Sequence, residues 1–570
     1  PDSRTPIVVF NDPCDDIDDI SRRCSGTLAF GGPWFGAKHQ FDNQTWFTAF
    51  SWFVVVNNDL GSCYSNQTYE LMLTHELGHG LGFGHTEDET SLMYASCCNL
   101  HNALDVVCAE YTYPTKDEPL PDLLTVPVIA YLEGFGGTPW RSDVVMANPL
   151  DRSLFLDLTY QAEGQAPVTK TRSIPARATF FYEDIIPGLF GMSSGRGPLR
   201  VAPVTAGDPL PVAFSRTYAE RSFGNLGSGL PADRIPLAGT FSIPGLRVDD
   251  DFRSSVSVTA DVDFEVEATF ELFHGSDGLL KASVGHTVPA GEQRQWFVED
   301  LFPNLVVPSA PLTVRVTLDQ PGVVNASVVD NASTDSAVFL GKMPSTTWTV
   351  PVAAHIEGRR GTRWASEVSV WNASGAPGTI SLEYLPENTD NTGGGAVAED
   401  IQLQGFETLN LDDVVLENFD VTNGKGVLVI TSSGAITVTS RVATSGPNGG
   451  TAGNGVRTIS GESWSEGTAV LPGVRLSDNF RTNVGFVTGD QAETFVCKLW
   501  KDNGKVIKEA TVEVPPRSMR QLSVEEIFGF GGYDLPDPVG TITVEGGNPF
   551  LTYMTVIDGS AQDPVFVMPM

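Results

Sequence analysis

Along most of the 570-residue chain, apolar residues recur at every second position, in short runs closed by glycine, proline, asparagine or aspartate. Val256 and Val258, or Val368 and Val370, show the alternation. A period of two is that of a strand with one buried face, and strands broken by turns about every 8 to 12 positions predict antiparallel sandwiches. One stretch departs from this. Tyr69, Met72, Leu73 and Leu77 recur at three- and four-residue spacing, which predicts an amphipathic helix with Ser65 or Asn66 at its N-cap. Phe53–Asn58 reads as the strand leading into that helix, and Ile7–Phe10 as an earlier strand. No apolar run approaches the ~20 residues a bilayer requires, so no membrane insertion is expected.

The alternation is itself repeated. Val126-Pro-Val-Ile-Ala-Tyr-Leu-Glu-Gly leads to Trp140-Arg-Ser, as Val350-Pro-Val-Ala-Ala-His-Ile-Glu-Gly leads to Trp364-Ala-Ser. Ile243-Pro-Gly-Leu-Arg leads to Phe252-Arg-Ser, as Leu471-Pro-Gly-Val-Arg leads to Phe480-Arg-Thr. The anchors Trp140, Phe252, Trp364 and Phe480 lie 112, 112 and 116 residues apart, one domain length each. The expected organisation is a first domain over 1–118, then four all-β sandwich modules in an A-B-A-B order: 122–232, 233–346, 347–459 and 460–570. Each module carries a late acidic-apolar segment (Glu183-Asp-Ile-Ile, Glu299-Asp-Leu-Phe, Asp412-Asp-Val-Val, Glu525-Glu-Ile-Phe) that predicts a helical turn closing one end. Asp330 and Asp335 recur as Asp558 and Asp563, as duplication alone would produce.

Composition narrows the class of function. Hydrophobic residues at 41% and charged residues at 18% describe a folded protein rather than a disordered one. A net charge of −35 repels nucleic acid and anionic membrane, so neither is an expected partner. Six of the seven cysteines, Cys14, Cys24, Cys63, Cys97, Cys98 and Cys108, crowd into the first domain, and Cys497 stands apart. An even, compact set without a C-x-x-C pair predicts three disulfides and an extracellular, oxidising compartment. Their pairing stays open, with Cys14–Cys24 the first expectation and the strained neighbour bond Cys97–Cys98 excluded. The chain is expected to be processed or trimmed at its N-terminus, because Pro1 stands almost directly before a strand.

The chemistry concentrates in His75-Glu-Leu-Gly-His-Gly-Leu-Gly-Phe-Gly-His85. On a helix, His75 and His79 are one turn apart and face the same way, so both imidazoles can reach one ion. Gly82 can adopt the left-handed conformation that ends the helix and brings His85 round as a third ligand. Three protein ligands leave a position open, as a catalytic zinc requires. Glu76, beside the first ligand, is placed to take a proton from a zinc-polarised water.

This stretch fits H-E-x-x-H-x-x-G-x-x-H throughout, and Ser91-Leu-Met-Tyr94 follows it; together they resemble the zinc site and Met-turn of metzincin peptidases. Thr86 after the third histidine brings the resemblance closest to the matrixins. It implies an α+β catalytic domain, N-terminally incomplete because the helix and strands that normally precede Ile7 are missing. It also implies Zn2+ as cofactor and Met93 packed beneath the metal. An edge strand at Ser25–Gly32, with Thr27, Leu28, Ala29 and Phe30, would hold an extended protein or peptide substrate as an added strand. Residues 95–105 would wall a specificity pocket, and a last helix would run from Asp105 towards Pro114.

Asp15-Asp-Ile-Asp-Asp19 offers oxygen ligands to calcium but lacks calcium-loop spacing, so it reads as a solvated acidic loop. His39 and His101 read as solvated loop residues. Asn43, Asn66, Asn325, Asn331 and Asn372 stand in N-x-S/T triplets. The function expected is therefore that of a secreted zinc endopeptidase, its four modules serving as spacers or binding a cell-surface or extracellular polymer. The alternative is an adhesion or surface-binding protein in which the modules carry the main function.

Overall fold

The computed structural model describes residues 7–10, 12, 17, 26–41, 44–58, 65–86, 91–95 and 123–569, apart from 206, 223, 233–236, 276, 304–310, 461–463 and 531–536. The chain forms two compact units, Pro1–Leu120 and Pro121–Met570. All six clustered cysteines, the aspartates 15–19, His101 and residues 96–114 lie outside the described residues, and so does the His39 side chain.

In the first unit, β1 (Ile7–Val9), β2 (Ala29–Phe41) and β3 (Gln44–Val56) form a sheet in the order β1-β3-β2. β1 runs parallel to β3, and β2 pairs antiparallel with it from Ala29 opposite Val56 to Phe41 opposite Gln44. α1 (Asn66–Gly80) lies against β2 and β3, with Met72 packed among Ala29, Val54 and Val56. Ser65 is its N-cap, its hydroxyl accepting the Thr68 amide at 3.2 Å. The buried strip of α1 differs from the periodic one: Leu77 is 37% exposed, while His75 and Glu76 are buried. Polar groups thus occupy positions that the hydrophobic pattern reserves for leucine. Burial of such groups costs free energy unless partners satisfy them, which makes the site around them informative.

The second unit is almost entirely β, in four successive sandwich-like sheets of eight, seven, eight and seven strands. A helical turn overlaps each acidic-apolar segment, at Ile186–Phe190, Val298–Leu301, Val414–Phe419 and Val524–Phe528. Three of the sheets contain one very long strand: Leu312–Asp330, Gly424–Ser445 and Gly540–Asp558. Each pairs with one set of neighbours along its first half and another along its second. Its middle carries residues that weaken regular pairing, such as Pro321-Gly322 and Gly546-Gly547, and these let it cross from one layer to the other.

The four sheets do not hang as a string. The Arg200 guanidinium in the first donates to the Gly291 and Ala260 carbonyls of the second, both at 2.8 Å. Ser242 in the second meets Thr437 in the third at 2.7 Å, and Arg517 in the fourth reaches Glu383 in the third at 2.8 Å. The fourth then returns to the first, with Thr541 on Thr179 at 2.6 Å and Asp563 on Arg216 at 3.2 Å. Leu226, Ala452 and Ala561, from three different sheets, share one buried cluster. The four sheets therefore form a closed arrangement. Asn325 and Asn372 are buried in it, which removes them as accessible glycosylation positions. Among the described residues, no helix is long and apolar enough to cross a membrane.

Candidate metal centre

The helix that presents His75 and His79 ends in a hydrogen-bonded reversal. The Phe83 amide donates to the Gly78 carbonyl at 3.0 Å and the Gly82 amide to the His79 carbonyl at 2.9 Å. Gly82 has φ +96°, a left-handed conformation that glycine adopts without a side-chain penalty. The same reversal orients a ligand, because the Phe83 carbonyl lies 2.7 Å from His79 Nδ1. Three residues past Gly82, the chain delivers His85.

The Ser91–Tyr94 turn packs beneath. Its Met93 amide is held by Ser91 Oγ at 2.9 Å, and the Met93 carbonyl accepts the Thr86 amide at 3.0 Å, next to His85. Leu92 turns its carbonyl onto His75 Nδ1 at 2.6 Å. Met93 is buried with its sulfur against Gly78, where any side chain would collide with it. Gly80 likewise faces Trp52: a Cβ there would stand 3.1 Å from that of Trp52.

A carbonyl oxygen only accepts, so His75 Nδ1 and His79 Nδ1 carry their protons and both Nε2 atoms present bare lone pairs. Those lone pairs converge. His75 Nε2 lies 3.3 Å, and His79 Nε2 3.1 Å, from His85 Nε2. A proton on His85 would serve one of these contacts, whereas a cation at the common point satisfies all three. Zn–N bonds of ~2.0–2.1 Å in a tetrahedron place nitrogens about 3.3 Å apart, so the donor set fits zinc. Burial, and secondly His79, push His85 below its ordinary pKa, towards the neutral form that a ligand needs. His75 is buried and His85 exposed, so the centre opens to solvent on one side. Among the described residues this is the one such cluster.

Glu76 is buried beside it, and its Oε2 has no hydrogen-bond partner among the described residues. Burial raises its pKa, opposed by the His79 charge and by a hydrogen bond from the Gly31 amide of β2. The strand can come this close because residue 31 is glycine: a Cβ would lie 2.5 Å from the Glu76 carbonyl oxygen. Residues 19–106 match the matrixin family model.

That match supports a matrixin-like metallopeptidase domain over a stretch well under half the chain. No curated protein matches. Among solved structures the chain is similar to a "tetra-tandem repeat in extending region of large adhesion protein", 13% identical over 77% of this chain and 97% of that one. Its TM-score of 0.09 carries no inference about fold or function.

The structure therefore brings His75, His79, His85, Glu76 and Met93 together. Of the expected edge-strand residues, Ala29 and Phe30 lie in β2, while Thr27 and Leu28 precede it. Asn57 takes both of their carbonyls, through its side chain at 2.8 Å and its amide at 2.9 Å. The orienting groups that sequence reasoning missed are the Phe83 and Leu92 carbonyls. Backbone acceptors leave no mark in residue type; the signal available was their position beside motif residues.

Proposed function

We propose that the first unit is a zinc-dependent endopeptidase, with His75, His79 and His85 holding the metal and Glu76 as general base. The observation that carries this is the convergence of three imidazole lone pairs, two of them with locked tautomers, next to a buried carboxylate with one oxygen unpaired. Bound zinc would supply Lewis-acid polarisation of a peptide carbonyl and of water. Glu76 accepts the proton of the attacking water and returns it to the departing amine. Its raised proton affinity suits both transfers, since a weakly basic, fully solvated carboxylate would do the first poorly. β2 has no further strand beyond it among the described residues, so an extended substrate can pair along its outer edge near Ala29 and Phe30. Thr27 and Leu28 would extend that platform. Met93 acts by packing and does not react.

The second unit is read as two A-type and two B-type modules alternating A-B-A-B, with boundaries at 122–232, 233–346, 347–459 and 460–570. Protein or peptide substrates, secretion, and disulfides among the six N-terminal cysteines complete the proposal. The test is hydrolysis of an unfolded protein substrate by the purified chain beside Glu76→Ala, with zinc measured on both by mass spectrometry. The expected outcome is cleavage by the wild type alone, with about one zinc on each protein. A wild-type chain that holds zinc and cuts nothing, or that holds no zinc, sinks the reading.

A further inference from the structure

Two cavities in the second unit are lined by corresponding residues of the internal repeat. One lies between the first and second sheets and the other between the third and fourth, with volumes of about 160 and 230 Å³. Trp140 lines the first and Trp364 the second. Each indole packs over a glycine, Gly134 or Gly358, whose missing Cβ would otherwise stand 2.5 Å from the indole Nε1. Arg253 and Arg481, the residues that follow the aromatic anchors Phe252 and Phe480, line the two cavities from the other side. Gln295 and Gln521 also correspond. The repeat motif thus reappears as a pair of chambers.

The two arginines share an unusual electrostatic position. Arg253 donates to the Asn331 amide oxygen at 2.6 Å, and Arg481 to that of Gln562 at 3.1 Å. Their hydrogen bonds go to neutral amides, and among the described residues neither forms an ion pair with a carboxylate. Burial first, and Arg221 second, push the Arg253 guanidinium below its ordinary pKa, with Asp330 and Glu299 opposing. Burial, then Arg359 and Arg360, do the same to Arg481, with Glu525 opposing. Two other cations in the walls are matched, Arg196 by Glu163 at 2.8 Å and Lys425 by Glu387 at 3.4 Å, while Arg359 and Glu357 both line the larger chamber. In a chain of net charge −35, each chamber thus holds a largely buried guanidinium with no carboxylate in direct contact among the described residues, although Glu357 also lines the larger one. A buried guanidinium gains most from a charged, planar acceptor such as a carboxylate.

Part of the wall is apolar, with Val352, Ile356, Ile557 and Phe566 beside Trp364 in the larger chamber, and Asn454, Asn483 and Thr555 add polar groups. Sites for drug-sized ligands span ~300–1,000 Å³, so the body that fits here is smaller. We infer that the two chambers are equivalent binding sites for a small organic carboxylate, its charge on Arg481 or Arg253 and its apolar body against Trp364 or Trp140. The site in the third and fourth sheets is the stronger, having the larger volume.

The experiment is isothermal titration of the full chain with phenylacetate and with its neutral isostere phenylacetamide, repeated on Arg481→Gln and Arg253→Gln after their melting temperatures are recorded. Phenylacetate is expected to saturate at one to two equivalents, and phenylacetamide to bind roughly tenfold more weakly or worse. Arg481→Gln should remove the stronger site and Arg253→Gln the weaker. Absence of saturable phenylacetate binding, or equal binding of acid and amide by the wild-type chain, overturns the proposal, and neither result depends on a variant folding. Unchanged binding in a folded Arg481→Gln overturns it as well.

Discussion

Gly78→Ala places one methyl where the metal centre has no room for it. The new Cβ would overlap the Met93 sulfur and stand 3.1 Å from Met93 Cε. Met93 is buried, and its backbone is tied at both ends, by Ser91 Oγ and by the Thr86 amide. Relief therefore requires the 91–94 turn to move, and that turn carries the Leu92 carbonyl that orients His75. Alanine improves helix propensity over glycine by ~0.8–1.0 kcal/mol, while overpacking costs ~1–3 kcal/mol. The net loss of stability is about 0–2 kcal/mol, which a domain of ordinary stability survives. The greater effect falls on the metal: losing an outer-shell partner typically weakens binding ~10–100-fold. Gly84→Ala is the control, since no atom of the described residues lies within 4 Å of its added methyl. Zinc affinity by chelator competition, with calorimetric melting alongside, separates the two effects. Wild-type zinc affinity in Gly78→Ala, or an equal loss in Gly84→Ala, would refute the argument that Met93 positions the site through the turn.

Two further outcomes follow from contacts elsewhere in the chain. Burial pushes the Asp335 carboxyl up to about 7, with Arg441 opposing. An unfolded aspartate releases its proton near its ordinary value of ~3.9, so the folded state holds more protons across roughly pH 4 to 7, and stability of the second unit should fall as pH rises through that window. Asp335→Asn should reduce the slope of melting temperature against pH there, and an identical slope in both proteins would show that Asp335 does not titrate in this way. Ser65→Ala removes the hydroxyl that accepts the Thr68 amide and should cost the first unit about 1 kcal/mol in denaturant unfolding; a variant unfolding with the wild type would assign the cap elsewhere.

The legible part of this protein was its periodicity and its metal-ligand spacing. Alternation predicted strands over most of the chain because each strand has one buried face. The H-E-x-x-H-x-x-G-x-x-H spacing placed three imidazoles on one point because helix pitch and a glycine-led reversal leave little freedom. Leu77 misled for a physical reason: the inward strip of α1 is occupied by His75 and Glu76, so apolar spacing no longer marks the buried face. The length of the β2–β3 hairpin was hidden as well, since its outer half carries no clean alternation from Phe35 to Phe47. Least legible was the closure of the four sheets. Asp335 and Asp563 looked like copies left by duplication. Both carboxylates are fully buried, each set against an arginine of another sheet, Arg441 or Arg216. Pairing between residues hundreds of positions apart has no local signature.

That closure bears on the order in which the protein can be made. Val145 and Phe214 of the first sheet belong to the same hydrophobic cluster as Phe486 and Ile542 of the fourth. The Thr179–Thr541 and Arg216–Asp563 contacts span 362 and 347 residues. The first sheet leaves the ribosome with part of its interior open to water, and no later segment covers it until nearly the whole chain has been synthesised. Closing so long a loop adds only slowly growing entropy, but contacts of high sequence separation form late and slowly. The unit should therefore mature after synthesis as one cooperative body, with its nascent first half in need of protection from aggregation in the interval.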